Sequence, residues 1–240
     1  MLVGIPRATI SSGFFRVQML IVLGLACLGF MANQSFPIPG SSGQLLGIRS
    51  GLCIAIAIVA YLGSVFWTLE RRGGATRILF LETLLSLLAL GVSSLAINPT
   101  LQAGVPWLFL NDLTGTLVLG GALTGMLLGH SYLTTPTMSI APLSRINFYF
   151  GISAVLKGLT CAGGLWMAWN HSPSSTTLTL LLLRVLAGIV GPIVLSLMTW
   201  RILKYKNTQA ATGVLFVGVI LTFIGELAAS LLQQELRLPL

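Results

Sequence analysis

The stretch TLTLLLLRVLAGIVGPIVLSLMTW (177–200) holds a single charged side chain, Arg184, in a run that is otherwise apolar, small or hydroxylated. A helix crossing the hydrocarbon core of a bilayer needs about 20 mostly apolar residues, and this run is long enough. Six other runs read the same way, at 14–33, 50–69, 77–97, 108–130, 147–169 and 210–233. Each is about twice the length of a barrel strand and lacks period-two alternation. Only helices and closed barrels satisfy every backbone hydrogen bond in lipid, so helices are the solution here. The expected fold is an all-α integral membrane protein, a bundle of seven transmembrane helices forming one domain over 1–240.

The rest of the chain agrees. Of its 240 residues, 55% are hydrophobic and 8% charged, and mean hydropathy is +0.94. A soluble domain carries about a quarter charged residues, and a disordered chain needs low hydrophobicity, so both classes are excluded. The connectors QSFPIPGSSGQ (34–44), ERRGGATR (70–77), NPTLQAGVP (98–106), SYLTTPTMSIAPLSR (131–145), NHSPSS (170–175) and KYKN (204–207) leave no room for a soluble domain. The first span, whose residues 17–32 resemble the apolar core of a signal peptide, is expected to be a retained anchor, because no clear small-x-small cleavage site follows it.

Basic residues set an expected orientation. Arg7, Arg16, Arg71, Arg72, Arg77, Arg145, Arg201, Lys204 and Lys206 fall on one side of the membrane, and Arg49 and Arg237 on the other. The excess marks the cytoplasmic side, which places the N-terminus inside and the C-terminus outside. The net charge of +8 follows from this bias and from anionic lipid at the inner face. No basic stretch is interleaved with exposed aromatics, so nucleic acid is not an expected partner. The bilayer is, along with other subunits of a membrane complex.

Five charged side chains lie within spans: Glu82, Asp112, Lys157, Arg184 and Glu226. Each costs about 2.5–3.5 kcal/mol at a helix centre and normally turns inward to a partner. At about 1.5 Å rise per residue, Lys157 lies near the midplane, Glu82 on the cytoplasmic side, and the other three in the outer half. The expected arrangement pairs Arg184 with Glu226, Asp112 or both, with Lys157 beneath. One acid is then left over as a proton-handling group, Glu82 or Glu226. A network that only locks helix register is the plainer account.

Other features concern helix contacts. Gly121, Gly125 and Gly129 line one flank of the fourth span, a groove for a neighbouring helix. Asp112, Thr116, Leu123 and His130 form a polar stripe opposite, facing a second neighbour. Gly188, Gly191 and Pro192 interrupt the sixth span, where the missing proline N–H predicts a kink. His130 and His171 are expected on opposite faces, about 30 Å apart, which makes a bis-His haem within the chain unlikely. Cys27, Cys53 and Cys161 have no metal-ligand spacing, no metal site is indicated, and no catalytic motif occurs.

GHSYLTTPTMSIAPL (129–143) and NTQAATG (207–213), with GPIVLSLMTW (191–200), resemble strings found in a group of uncharacterised multispan bacterial inner-membrane proteins. The resemblance covers mainly the C-terminal half and implies a multi-pass protein of the bacterial inner membrane. On the residues themselves, Pro136 and Pro142 stiffen the first string's loop, and Asn207 and Thr208 can cap the last span. His130, Tyr132, Asn207 and Gln209 cluster at the cytoplasmic face, where they could hold a lipid headgroup, a quinone carbonyl or a partner subunit. Caps and tight turns are the blander account. Three functions stay open: an auxiliary or quinone-facing subunit of a respiratory or other electron-transfer complex, a small-solute or proton-coupled transporter, and a structural or assembly factor.

Overall fold

A computed structural model describes residue 4 and residues 10–36, 43–96, 104–134, 138–167 and 174–236. Every element among these residues is helical. Seven helices are long and apolar enough to cross a membrane, and the protein is a multi-pass membrane protein. The helices are α1 (Ser12–Ser35), α2 (Gly43–Thr68), α3 (Arg72–Ala96), α4 (Val105–Thr134), α5 (Ala141–Met167), α6 (Ser175–Val185), α7 (Gly191–Lys204) and α8 (Thr208–Leu236). A π-helical turn, Leu186–Val190, joins α6 to α7, so the sixth span runs from Ser175 to Lys204.

Most helices begin earlier than apolarity alone predicts. Arg49 and Arg145 lie inside α2 and α5, and Pro142 sits in the first turn of α5 rather than in a loop. Proline is tolerated there because first-turn N–H groups have no helical acceptor. The run expected as the loop ERRGGATR is mostly α3. The turn itself covers 69–71 and places Glu70 at φ 54°. Lys206, at φ 57°, makes the same kind of reversal between α7 and α8. Arg7, Arg237, His171 and Pro136 lie outside the described residues.

The chain forms two compact units, one built on α1–α3 and the other on α4–α8. In the first, Phe15 of α1 stacks on Trp67 of α2 with ring centroids 4.4 Å apart. The Asn33 amide of α1 donates to Ser50 Oγ of α2 at 2.6 Å and to the Leu46 carbonyl at 3.3 Å. Such contacts hold helices together where lipid gives no hydrophobic drive.

In the second unit, four spans close into a ring. α4 packs on α5 and α8, α7 packs on α5, and α8 receives the whole sixth span. Neighbours are antiparallel, as the pairs Gly115–Glu226 and Gly129–Thr212 show for α4 and α8. The α4 glycine flank behaves as a groove: Gly121 is buried, Gly125 meets Ile146 of α5 and Leu215 of α8, and Gly129 meets Thr212. The polar stripe expected opposite is corrected. Thr116 and His130 are exposed, and the Thr116 hydroxyl turns back to the Asp112 carbonyl of its own helix. The polar face that α4 buries instead carries Asn111 and Thr114.

Candidate functional site

One side chain from each of the four spans meets at a common level. Arg184 of α6, fully buried, donates from Nη1 to Glu226 Oε1 of α8 at 2.9 Å. Lys157 of α5, also fully buried, lies 3.9 Å from the other carboxylate oxygen, Oε2. It also donates to Asn111 of α4 twice, to the carbonyl at 2.9 Å and to Oδ1 at 2.7 Å. Two buried cations therefore share one carboxylate, whose side chain keeps 27% of its surface exposed. Asp112 is half-buried and near enough to act electrostatically on Lys157 and Glu226, but among the described residues it forms no ion pair. Arg184 thus pairs with Glu226 and not with Asp112.

Glu82 forms no ion pair among the described residues. It belongs to the α1–α3 unit, is 4% exposed, and neither carboxylate oxygen has a hydrogen-bond partner among the described residues. The expected five-membered network is therefore a triad with Asp112 beside it. Glu226 is not the surplus acid, because both cations converge on it. Asn111 is the functional neighbour that charge-based reading overlooked. Its signal was an amide in an apolar span one residue from Asp112, a 100° step around the helix.

Arg184 is the least satisfied member. Among the described residues its buried Nε and Nη2 meet no oxygen acceptor, and only the Cys161 thiol, a weak acceptor, lies alongside. A guanidinium presents five donors in a fixed fork, so a carboxylate held through Nη1 alone leaves the side of the fork that suits bidentate binding free. Below it the π turn begins. Pro192 has no N–H to give to the Gly188 carbonyl, and its ring crowds that group. At the break the chain inserts one residue, and the Gly191 N–H reaches back to the Leu186 carbonyl. The loosened turn packs Gly188 directly on Gly225 of α8, with no room for a Cβ at either position. π-turns of this kind occur frequently at functional sites.

Around the triad the remaining polar groups act as fasteners. Thr114 and Thr160 join α4 to α5 at 3.2 Å, and Asn147 and Ser196 exchange hydrogen bonds between α5 and α7 at 2.9 and 3.1 Å. Glu235 near the end of α8 accepts from Ser174 at 2.9 Å and from Thr177 at 2.6 Å, tying down the start of the sixth span.

The second expected cluster does not gather into one site. Tyr132 is buried, and its hydroxyl is tied to the Ser139 carbonyl across the α4–α5 turn. Asn207 caps α8 by accepting from the Ala210 N–H at 3.0 Å. His130 and Gln209 are exposed at the same end of the α4–α8 pair. Of the cysteines, Cys27 is exposed, Cys53 half-buried and Cys161 buried. No protein family, characterised protein or solved structure matches the chain.

Proposed function

We propose that the protein is a proton-coupled transporter of a small anionic solute, working through Arg184, Glu226 and Lys157. The observation that carries this reading is the pair of buried Arg184 donors that meet no oxygen acceptor among the described residues, beside a carboxylate that two cations share and that stays partly exposed. An anion arriving at the free side of the guanidinium supplies a second negative charge to two buried cations. Protonation of Glu226 then leaves charge balance intact, so one anion and one proton move together. The π turn beside Arg184 is the element that can rearrange, since interrupted helices mark the binding sites of many transporters. In this proposal the chain lies in a bacterial inner membrane with its N-terminus in the cytoplasm, as the basic residues and the family resemblance imply.

The auxiliary or quinone-facing subunit of an electron-transfer complex has weaker support. It leans on His130, Tyr132, Asn207 and Gln209, and two of these engage their polar atoms locally. Transport calls for no partner subunit. The test is uptake by vesicles containing the purified chain and a lumenal pH dye, offered inorganic phosphate or short hydroxy- and keto-monocarboxylates under an imposed pH gradient. Lumenal acidification that depends on the anion, and is weakened by Arg184→Lys, is the expected result. Lysine keeps the charge but loses the planar fork. Wild-type vesicles that stay silent with every anion, while the protein remains folded, would remove the proposal in favour of a structural role for the triad.

A further inference from the structure

Between α5 and α7 runs an apolar groove of about 800 Å³, within the size range of ligand pockets. Along α5 it extends from Arg145 to Leu156, which at 1.5 Å per residue is roughly 16 Å, about one leaflet of a ~30 Å core. Its walls are exposed side chains, among them Phe148, Ile152 and Leu197, and its polar floor residues Asn147 and Ser196 bond to each other. The groove is asymmetric. One end, at Leu156 and Ile193, is wholly apolar. The other is flanked by Arg145 on α5 and by Trp200 on α7, with Lys204 Nζ 3.6 Å from the Trp200 ring centroid.

We propose that this groove is a binding site for one anionic glycerophospholipid, an acyl chain lying along α5 and α7 and the phosphate meeting Arg145 and Lys204. Tryptophan is the residue enriched at headgroup depth, and the cation–π contact fixes the ammonium at the mouth. An arginine opposite supplies the paired donors that a phosphate accepts. Among the described residues no acidic side chain lines the groove, so a net negative headgroup is attracted there. A zwitterionic lipid has the same tails and phosphate but cancels that charge, so the site distinguishes the two by Coulomb attraction.

The test uses the full chain in mixed micelles with brominated phosphatidylglycerol or brominated phosphatidylcholine, reading the tryptophan quenching that is lost in Trp200→Phe. Half-quenching by the anionic lipid is expected at a mole fraction on the order of tenfold lower than by the zwitterionic one. Arg145→Gln with Lys204→Gln, both exposed positions, should abolish the preference while the protein stays folded. Val155→Phe, which fills the groove, should weaken quenching by both lipids. Arg71→Gln with Arg72→Gln removes equal charge from the other unit and should change nothing. Equal quenching by both lipids in the unaltered protein would overturn the proposal. So would a loss of preference as large in the Arg71/Arg72 variant, or a Trp200 that neither lipid reaches because a protein covers it.

Discussion

In α1–α3 a lone carboxylate, Glu82, is buried with neither oxygen hydrogen-bonded among the described residues, whereas in α4–α8 Glu226 meets two cations and an amide supports one of them. The first unit shows aromatic stacking and an amide–hydroxyl clasp between α1 and α2, in which Asn33 and Gln34 both donate to Ser50. The second draws one polar or charged residue from each of its four spans to a single level. The difference teaches where selection for more than stability should be sought. Apolar contact and a few hydrogen bonds suffice to join membrane helices, so two buried cations around a half-accessible carboxylate are more than packing alone requires.

The largest effect expected is that of Glu226→Gln. The change keeps the side chain's shape and strips both Arg184 and Lys157 of their counter-charge. Breaking a buried pair from one side costs about 3–5 kcal/mol, read as a shift of the unfolding midpoint in a detergent–SDS titration. Replacing all three members with apolar residues, Lys157→Met, Arg184→Met and Glu226→Leu together, should recover much of that loss, because the triad then leaves no charge without its partner. The triple variant should fold and carry no anion. If it folds and still transports, the triad is only a register device.

Next comes Gly225→Ala. Its new methyl lands on the backbone of Gly188, and neither helix has a flexible side chain to move aside. Overpacking costs about 1–3 kcal/mol, and the π turn should be displaced with it. Gly24→Ala in α1 is the matched control, since nothing lies within contact of the added methyl. The same assay should show no loss there. Asn33→Ala, which breaks the α1–α2 clasp, falls lower again, at about 0.6 kcal/mol and below 2 kcal/mol.

Much of this architecture was legible because charge and apolarity speak for themselves in lipid. Seven runs gave seven spans. Their ends were less legible: hydropathy locates the most apolar segment, and GQLLGIRS and APLSRIN continue the helix beyond it. Arg184, Lys157 and Glu226 stood out as charges in apolar runs. The Arg184–Glu226 pair was among the pairings expected, but the choice of Glu226 over Asp112 and the part of Asn111 were not legible, because the rotation of one helix against another is set by the fit of both. That is why the buried face of α4 carries Asn111 and Thr114 and not the neighbouring Asp112 and Thr116. Nothing in a single helix told that Glu82 belongs with α1 and α2. Pro192 signalled a disruption, while its form, a π turn, depended on two glycines allowing close approach to α8.

Glu82→Gln should have the smallest effect, and it bears most directly on the contrast between the units. The amide has nearly the carboxyl's volume, and no cation loses a partner when it replaces Glu82. An unsatisfied buried polar group is itself a cost, so exchanging one for another leaves the balance within about 1 kcal/mol, the scale of a single polar contact between membrane helices. Glu82→Leu removes the unsatisfied group altogether and should be at least as stable as the natural chain. Measured beside Glu226→Gln in the same titration, the two glutamines should differ several-fold in their shift of the midpoint. A loss at Glu82 equal to that at Glu226 would mean that α3 hides an ionic partner of its own. The charge chemistry would then not be confined to α4–α8.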